Sequence, residues 1–322
     1  MNRYFTKLKR FVSDSEIRFG YLSKIGFYNY LDDETFIKKR FRLKFGYEPD
    51  LNHPQTFNEK IQWLKLHDRK PVYTTMVDKY AVKDYVADII GSQYIIPTLG
   101  VWERFEDIDF DLLPNQFVLK CTHDSGGLVI VRDKERFDKK AARKKIKSCM
   151  TINYFYQGRE WPYKNVRPRI IAEKYLEEKQ EYGSQLKDYK IFNFNGKARM
   201  IQVDIDRFTE HKRNLYRIDW SYIEAAIEFP NAPDRIIEKP EVLDELLELA
   251  EKLSKGCQHL RTDFYIVDGK IYFGELTLYH GSGFERFYPF RFGLEAGGWL
   301  TLPQIASTED ITNERKQSGC VQ

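Results

Sequence analysis

A polar loop that ends in two glycines separates two apolar runs, residues 117–119 and 128–131, near the middle of the chain. Both runs are rich in residues that favour β-strands, so the pattern predicts a β-hairpin with a glycine-rich turn. Glycine lets the backbone approach an anion closely, Thr122 and Ser125 offer hydroxyl groups, and Lys120 would place an ammonium beside the loop. This chemistry suits phosphate binding, although an ordinary turn with a solvated lysine has the same pattern. No Gly-Lys-Ser/Thr follows, which excludes a P-loop.

A second group of polar side chains lies in residues 261–277, where two β-forming runs flank Asp268-Gly269. A two-residue Asp-Gly turn would bring Asp263 and Glu275 side by side on antiparallel strands. Two adjacent carboxylates repel each other unless a cation lies between them, and oxygen ligands near phosphates suit Mg²⁺. Thr277 points to the same face as Glu275 and offers a further oxygen. The alternative is a hairpin whose carboxylates face solvent.

The elements that would position these groups follow from hydrophobic periodicity. Helical spacing is found in residues 1–50, 56–66, 77–86, 134–149 and 240–255. Strand patterns are found in residues 94–102, 117–131, 170–176, 188–204 and 261–277. The helix at 56–66 starts with a capping box formed by Thr56 and Glu59, and in the helix at 77–86 Lys79 and Lys83 would share one face. The first helical spacing rests on Phe5, Leu8, Phe11 and Val12, and the residues beyond Pro303 predict a loose polar tail.

The composition of the 322 residues limits the classes of protein to be considered. With 42% hydrophobic residues the chain can form a sizeable core, and 52 basic against 48 acidic residues argue against a dedicated nucleic-acid-binding protein. Four scattered cysteines show neither the spacing of a zinc site nor that of a disulfide framework, which suits a reducing cytoplasm. No apolar run approaches the roughly 18 residues of a membrane span, and the charged N-terminus does not suit a signal peptide. We therefore expect a cytoplasmic protein. A location at the inner face of the membrane is also compatible with these features.

The order of these groups resembles that of the ATP-grasp fold. Asp78-Lys-x-x-x-Lys83 looks like the segment that supplies the first ATP lysine in D-alanine–D-alanine ligase-like members. Lys120 with Ser125-Gly126-Gly127 looks like the second lysine and the loop that covers the phosphates. Glu173-Lys174-Tyr175-Leu176 is similar to the hinge whose backbone and glutamate hold the adenine. The resemblance implies an ATP site formed by these segments.

Three further motifs resemble the TupA-like branch of this fold, which is associated with teichuronopeptide and other bacterial surface-polysaccharide synthesis. They are residues 54–66, Asp188-Tyr189-Lys190 and Gly274-Glu275-Leu276-Thr277, and the likeness extends over roughly residues 40–303. It implies that ATP and Mg²⁺ are the cofactors and that Asp188 binds the ribose, with Lys190 beside it. The implied magnesium ligands are Asp263, Glu275 and Thr277, and the family normally has asparagine at the last position.

Three arginines are implied as catalytic contacts to a phosphate or an acyl-phosphate, namely Arg261, Arg207 and Arg213. The segment of residues 280–283, His-Gly-Ser-Gly, is either a wall of the acceptor site or only a turn.

The predicted fold class is α+β, an ATP-grasp fold with a helical N-terminal region, a central β-hairpin lid subdomain and a C-terminal antiparallel-sheet subdomain. The predicted boundaries are a helical region at 1–75, the first ATP-lysine helix with a linking strand at 76–115, and the lid subdomain at 116–176. The subdomain with the metal site follows at 177–303, and a flexible tail at 304–322.

The resemblance implies a carboxylate–amine ligase that forms an amide through an acyl-phosphate and releases ADP. Its partners would be an amino acid and a carboxylate-bearing saccharide or peptide acceptor, with peripheral association to membrane-bound polysaccharide machinery and no nucleic acid. Rival readings are a glycosyltransferase with a DxD motif at Asp204-Ile-Asp206, a sugar kinase on the same fold, and a non-catalytic scaffold. The sequence leaves open the substrates, the oligomeric state, the number of magnesium ions and the role of the first 50 residues.

Overall fold

The computed structural model describes residue 11 and residues 13–177, 186–205, 210–235 and 237–304. Within these ranges the α-helices are Ser15–Lys24 (α1), Asp33–Phe45 (α2), Phe57–His67 (α3), Val72–Val77 (α4), Ala81–Ile90 (α5), Lys139–Met150 (α6), Phe155–Gly158 (α7), Leu243–Ser254 (α8) and Phe290–Trp299 (α9). The strands are Thr98–Trp102 (β1), Phe117–Cys121 (β2), Leu128–Val131 (β3), Ile170–Lys174 (β4), Asp188–Phe194 (β5), Lys197–Ile205 (β6), Lys212–Tyr216 (β7), Ala226–Ile227 (β8), His259–Val267 (β9), Lys270–Thr277 (β10) and Phe287–Tyr288 (β11).

The strands form two main antiparallel sheets and a short pair. One sheet has the order β1-β4-β2-β3, the other has the order β10-β9-β5-β6-β7, and β11 pairs with β8. All strand pairs within these sheets are antiparallel. Helices combined with antiparallel sheets confirm the predicted α+β class.

Tight turns set the register of the two long hairpins, as the sequence predicted. Asn195 and Gly196 have φ angles of 49° and 80°, and Asp268 and Gly269 have 49° and 73°. Two consecutive residues with positive φ are typical of a type I′ turn, whose twist matches that of paired strands. The second turn brings Asp263 opposite Glu275, with one irregularity in the ladder between Phe273 and Glu275.

Two hydrophobic cores accompany the two main sheets. The larger core packs α3, α4, α5, α8 and α9 on the five-stranded sheet, and its fully buried members include Ile61, Val86 and Phe192. The smaller core packs α6 on the four-stranded sheet through residues such as Leu119 and Ile146. Each sheet is therefore backed by its own apolar layer, which leaves a cleft between the sheets for polar chemistry.

Helix α3 confirms the predicted capping box. Thr56 is the N-cap, its hydroxyl oxygen accepts a hydrogen bond from the Glu59 backbone N–H at 3.2 Å, and the Thr56 N–H donates to Glu59 Oε2 at 3.0 Å. This reciprocal pair satisfies donors that a helix start leaves without partners. The helix lies close to residues 280–283, the segment that follows β10.

The single helix predicted over residues 77–86 is wrong, because the chain breaks between α4 and α5. Asp78 is extended, and its Oδ1 accepts hydrogen bonds from the backbone N–H groups of Tyr80 at 2.9 Å and Ala81 at 3.3 Å. A short polar side chain that bonds to nearby backbone competes with the helical pattern in this way. Lys79 therefore lies in the turn, whereas Lys83 lies on α5, and the two lysines do not share a helix face.

Other boundaries also differ from the predicted ones. Helix α6 starts at Lys139 rather than at residue 134, because the Asp138 side chain accepts from the Ala141 N–H at 2.9 Å and caps the helix there. Strand β1 starts after Pro97, and the residues before it, Ser92–Tyr94, form a 3₁₀ turn. The predicted domain boundaries remain a proposal. Strand β1 belongs to the predicted segment 76–115, but it pairs with β4 of the predicted lid subdomain at 116–176.

Some predictions concern residues outside the described ranges. They are the helical positions Phe5, Leu8 and Val12, the catalytic Arg207, the motif residue Asp206, and the tail beyond residue 304. Among the described helices, none combines the length and the apolar character that crossing a bilayer would require.

Candidate active site

Two lysines, one on a helix and one on a strand, contact the same carboxylate. Lys83 Nζ on α5 lies 2.6 Å from Glu173 Oε1, and Lys120 Nζ at the end of β2 lies 2.5 Å from Glu173 Oε2. Glu173 reaches both because β4 pairs with β2, with Val118 opposite Glu173. We call Lys83, Lys120 and Glu173 the lysine cluster.

Burial and charge act in opposite directions within the lysine cluster. Burial lowers the pKa of Lys83, and Glu173 opposes that shift. Burial raises the pKa of Glu173, but Lys120 and Lys83 outweigh it and hold that pKa below its ordinary value. The Lys83 ammonium also donates to the Ile96 carbonyl oxygen at 2.7 Å. Two cations and one anion leave this cluster with a surplus positive charge that suits a phosphate group.

An apolar cleft opens beside the lysine cluster, between the two main sheets. Its walls come from both sheets and from the segment that follows β4. It is lined by Ile96, Val118, Lys120, Leu128, Ile130, Arg132, Glu173, Lys174, Tyr175, Leu176, Leu186, Asp188 and Tyr265. Five of the residues predicted to bind the nucleotide are among them, namely Lys120, Glu173, Tyr175, Leu176 and Asp188. A mostly apolar wall with a few polar groups is typical of a small-molecule site.

Asp188, which lines the cleft, begins a series of alternating charges. Lys190 on β5 donates to Asp188 on the same strand and to Asp263 Oδ2 on the neighbouring β9, the latter at 2.7 Å. Burial lowers the pKa of Lys190, but Asp188 and Asp263 outweigh it and raise that pKa. Lys190 therefore stays cationic between two carboxylates.

Arg261 ties the two predicted metal carboxylates together. Its Nε lies 2.6 Å from Asp263 Oδ1, and its Nη2 lies 2.7 Å from both Asp263 Oδ2 and Glu275 Oε1. Thr277 Oγ1 donates to the same Glu275 oxygen at 3.1 Å. The sequence predicted the carboxylates side by side, and the guanidinium of Arg261 contacts both of them. The divalent cation predicted between them stays a prediction. We call Asp188, Lys190, Arg261, Asp263 and Glu275 the acid cluster.

Glu275 is the accessible member of the acid cluster. Its side chain is 44% exposed, whereas that of Asp263 is 3% exposed. Partial burial raises the pKa of Glu275, but Arg261, Lys79 and Lys190 outweigh it, and the net pKa is about 2. The carboxylate is therefore ionised at neutral pH and accessible from solvent.

The donor atoms of the predicted metal ligands fit a magnesium ion that also has phosphate ligands. Asp263, Glu275 and Thr277 offer oxygen only, and among the described residues no three His, Cys, Asp or Glu side chains cluster as a metal site of their own. Mg²⁺ commonly takes one or two carboxylates and completes its shell with substrate phosphates and water. The residues present fit that mode of binding, not an all-protein cage.

The glycine-rich loop between β2 and β3 is closed by its own aspartate. Both carboxylate oxygens of Asp124 accept from the Gly127 N–H at 3.0 Å, and the Gly127 carbonyl accepts from the Cys121 N–H at 2.7 Å. A Cβ on Gly127 would lie 2.6 Å from Cys121 Cβ, whereas a Cβ on Gly126 would meet nothing closer than 3.8 Å. Close packing therefore requires glycine at 127, whereas Gly126 borders open space.

Two contacts of this loop were not predicted. Lys79 Nζ donates to the Asp124 carbonyl oxygen, and Ser125 Oγ donates to Tyr154 Oη at 3.2 Å. Lys79 matched the motif Asp78-Lys-x-x-x-Lys83, but the helical spacing assigned it to a solvated face. Tyr154 lies in a tyrosine-rich segment, and no pattern in that segment distinguished it from a packing residue.

Arg213 is embedded in the protein behind the acid cluster. Its Nε lies 2.8 Å from Asp204 Oδ1 and its Nη1 lies 2.7 Å from Glu285 Oε2. The side chain is 5% exposed, and both of these contacts are with carboxylates of the protein. The predicted contact of Arg213 with a phosphate therefore remains a prediction. Asp204 is 1% exposed and accepts from Arg213 and Gln202, which does not suit the exposed metal ligand that a glycosyltransferase DxD motif requires.

His280 and Glu285 connect Arg213 to Arg261. His280 Nδ1 lies 2.8 Å from Arg261 Nη1, and His280 Nε2 lies 3.0 Å from Glu285 Oε2. The sequence singled out residues 280–283 only as a wall or a turn, and it gave no signal for Glu285. These contacts form because the chain after β10 folds back toward β7 and β9, and hydrophobic periodicity does not predict such a path.

Comparisons with known proteins give one family match and several distant structural likenesses. A family model described as TupA-like ATPgrasp matches residues 59–300, and no curated protein shows a significant match. Among solved structures, the D-alanine–D-alanine ligase of Bacillus anthracis complexed with ATP is 18% identical over 63% of this chain and 54% of its own, with a TM-score of 0.38. The corresponding ligase of Helicobacter pylori is 15% identical over 72% and 60%, with a TM-score of 0.39.

The ATP-grasp ligase PsnB complexed with its minimal precursor is 12% identical over 65% of this chain and 54% of its own, with a TM-score of 0.37. The chain thus aligns with little more than half the length of the ligases that it matches.

Proposed function

Because its residues 59–300 match the family model, the chain belongs to the TupA-like ATP-grasp family, and on that premise we propose that it is an ATP-dependent carboxylate–amine ligase. The reaction would activate a carboxylate as an acyl-phosphate and join it to an amine. Products would be an amide, ADP and phosphate.

The observation that carries this proposal is the position of two charged clusters along one cleft. Lys120 and Glu173 of the lysine cluster line the cleft, and so does Asp188 of the acid cluster. Lys190 contacts both Asp188 and Asp263 and so links the cleft to the rest of the acid cluster. A nucleotide needs an apolar wall for its base, cations for its phosphates and carboxylates for the associated metal. The cleft, together with the acid cluster that adjoins it at Asp188, offers these three environments.

Most of the predicted residues have a role in this proposal. Glu173, Tyr175 and Leu176 would hold the adenine, and Asp188 with Lys190 would face the ribose. Lys83 and Lys120 would bind the phosphates, and the loop at Ser125, Gly126 and Gly127 would cover them. Magnesium held by Asp263, Glu275 and Thr277 would neutralise charge on the β- and γ-phosphates.

The chemical step needs positioning and charge stabilisation more than a protein nucleophile. An oxygen of the acceptor carboxylate attacks the γ-phosphorus, the bond to the bridging oxygen of ADP breaks, and an acyl-phosphate forms. The amine then attacks the acyl carbon, phosphate leaves, and the amine loses a proton. Arg261 would stabilise the negative charge on the transferred group, and closure of the glycine loop would keep water from the acyl-phosphate.

The substrate class is proposed from the family. TupA-like members are associated with surface-polysaccharide synthesis, so the acceptor would be a uronic acid or peptide of such a polymer and the other partner an amino acid. An acceptor attached to a growing polymer would bring the protein to the inner face of the membrane as a peripheral partner.

The proposal is tested by ADP release from Mg-ATP with pooled amino acids, in the presence and absence of uronic-acid and peptide acceptors. We expect ADP to form only when an amine and a carboxylate are both present. Lys120→Ala and Glu275→Gln should abolish that release, whereas Lys140→Ala, at an exposed position on α6, should leave it unchanged.

Two other outcomes would point away from the ligase. ADP release that requires a sugar but no amine, with a phosphorylated sugar as product, would indicate a sugar kinase. A purified chain that binds no Mg-ATP would contradict the nucleotide site altogether and favour the glycosyltransferase.

A further inference from the structure

Arg261 has one hydrogen-bond donor to spare. A guanidinium carries five N–H bonds and cannot accept a hydrogen bond. Nε uses one on Asp263, Nη2 uses two on Asp263 and Glu275, and Nη1 uses one on His280. Among the described residues, no partner takes the second Nη1 hydrogen. This hydrogen is the donor that a phosphoryl group could reach without displacing a carboxylate.

The contact between Arg261 and His280 fixes which ring nitrogen of the histidine carries the proton. Because Arg261 can only donate, His280 Nδ1 must be the acceptor, and the single ring proton must be on Nε2, which lies 3.0 Å from Glu285 Oε2. Burial lowers the pKa of His280, although Glu285 opposes the shift, which agrees with a neutral ring. A neutral partner orients the guanidinium without cancelling its charge.

Because the guanidinium is planar, its contact with His280 also determines the direction of the remaining Nη1–H bond. The two hydrogens on Nη1 lie in the plane of the group, so holding one of them fixes where the other points. Resting on the proposed ligase function, we propose that His280 is a positioning residue that aims the second Nη1 hydrogen of Arg261 at the transferred phosphoryl group.

The segment that carries His280 is itself held rigidly by α3. Lys65 Nζ donates to the Ser282 carbonyl oxygen at 2.6 Å, and Gln62 Nε2 and Asn58 Nδ2 donate to the Gly283 carbonyl oxygen at 2.9 Å and 3.0 Å. Ser282 has a φ of 54°, which is rare for a residue with a side chain. Three buried polar side chains thus fix the turn in a conformation that it would not favour alone.

The carboxylate of Glu285 lies beside the other edge of the imidazole. Its Oε2 lies near His280 Nε2 and also accepts from Arg213 Nη1 at 2.7 Å, and Arg213 is anchored in turn by Asp204. Orientation therefore passes from Asp204 through Arg213, Glu285 and His280 to Arg261. Outer contacts of this kind commonly change activity by about 10- to 100-fold when they are removed.

Two amide substitutions test the contacts of the two ring nitrogens of His280 separately. In His280→Asn the amide oxygen can take the place of Nδ1 and accept from Arg261, whereas in His280→Gln the longer amide reaches the place of Nε2 and leaves Arg261 without its acceptor. The probe is Mg-ADP, with and without fluoroaluminate as a mimic of the transferred phosphoryl group, and binding is measured by calorimetry. The gain in affinity that fluoroaluminate gives reports the contact with the phosphoryl group.

We expect Mg-ADP alone to bind equally to the wild-type chain and both variants, which also shows that they are folded. The gain in affinity from fluoroaluminate should be about tenfold smaller in His280→Gln than in the wild-type chain. In His280→Asn it should stay within about threefold of the wild-type value. In the ADP-release assay, His280→Gln should lower kcat and leave KM for ATP unchanged.

Equal fluoroaluminate gains in the wild-type chain and His280→Gln would overturn the positioning role. Equal losses in both variants would also overturn it, because they would show that His280 only fills space or holds Glu285. A wild-type chain that does not bind Mg-ADP would refute the nucleotide site first, and the inference would fall with it.

Discussion

At the scale of single residues, Glu173 is the group on which the lysine cluster depends. It is buried and pairs with Lys83 and Lys120 at 2.6 Å and 2.5 Å. Glu173→Gln would leave Lys83, whose side chain is 10% exposed, without its counter-ion. Because removal of one partner leaves an uncompensated buried charge, we expect a loss of about 3 kcal/mol in the free energy of unfolding.

Urea denaturation at pH 7 measures this loss. Glu224→Gln, which removes an exposed carboxylate, is the matched control and should change the unfolding free energy little. Equal stabilities for Glu173→Gln and the control would contradict the role of Glu173 as a shared counter-ion.

Residues that face each other across a tight hairpin could be predicted from the sequence, and residues brought together over long distances could not. Asp263 and Glu275 were predicted as a pair because the Asp268-Gly269 turn fixes which positions oppose each other. His280 and Glu285 were not assigned, since they contact Arg261 on β9 and Arg213 on β7, and no local spacing encodes those contacts. Arg261 was predicted near the phosphates, but its place between the carboxylates was not.

At the scale of elements, the capping box of α3 stabilises the helix that holds the turn beneath His280. Thr56→Ala removes the hydroxyl that accepts from the Glu59 N–H, so we expect the free energy of unfolding to fall by about 1 kcal/mol. Thr56→Ser keeps the hydroxyl and should cost clearly less. Chemical denaturation of the three proteins checks the order, and an alanine variant as stable as the serine variant would refute the cap.

The glycine-rich loop offers a pair of neighbouring positions with opposite expectations. Gly127→Ala would press a Cβ against Cys121, whereas Gly126→Ala would project into open space. We expect Gly127→Ala to displace the loop and to weaken binding of an ATP analogue by about tenfold, and Gly126→Ala to leave it within about twofold. Calorimetric titration of both variants measures the difference. Equal affinities would mean that the packing of Gly127 does not shape the nucleotide site.

Elements were predicted from sequence where the local signal was strong and undisputed. The Asn195-Gly196 and Asp268-Gly269 turns, and the cap at Thr56, specify their conformations through a few adjacent residues. The break between α4 and α5 was missed because the apolar spacing continues through it, while the Asp78 side chain bonds to the backbone and interrupts the helix. The order β1-β4-β2-β3 could not be predicted, because it places a strand from before the hairpin at the edge of the sheet.

At the scale of the whole molecule, paired carboxylates and buried histidines make stability depend on pH. His259 is buried, which lowers its pKa from 6.5 to about 3, and Glu275 has a pKa of about 2 against an ordinary 4.5. Both groups bind protons more readily in the unfolded chain over these ranges, so the folded state loses stability as the pH falls. The loss should begin below about pH 6.5 with His259 and steepen below about pH 4.5 as the carboxylates contribute.

Thermal melting between pH 7 and pH 3 tests this dependence. Burial raises the pKa of Glu285, but His280 and Arg213 outweigh it and lower that pKa, so Glu285→Gln should be less stable at pH 7 and lose less on acidification. Glu224→Gln should follow the wild-type curve. A melting temperature that stays constant down to pH 3 would contradict the assigned pairing.

The two clusters along the cleft have a consequence for how the cleft captures its ligand. The lysine cluster carries one net positive charge and the acid cluster one net negative charge, so the eight side chains together are electrically neutral. Arg132 and Lys174 also line the cleft, so the net charge around it is positive and attracts a distant anion. Charge would then steer the approach of a nucleotide, and a stopped-flow salt series should show an association rate that falls as the ionic strength rises.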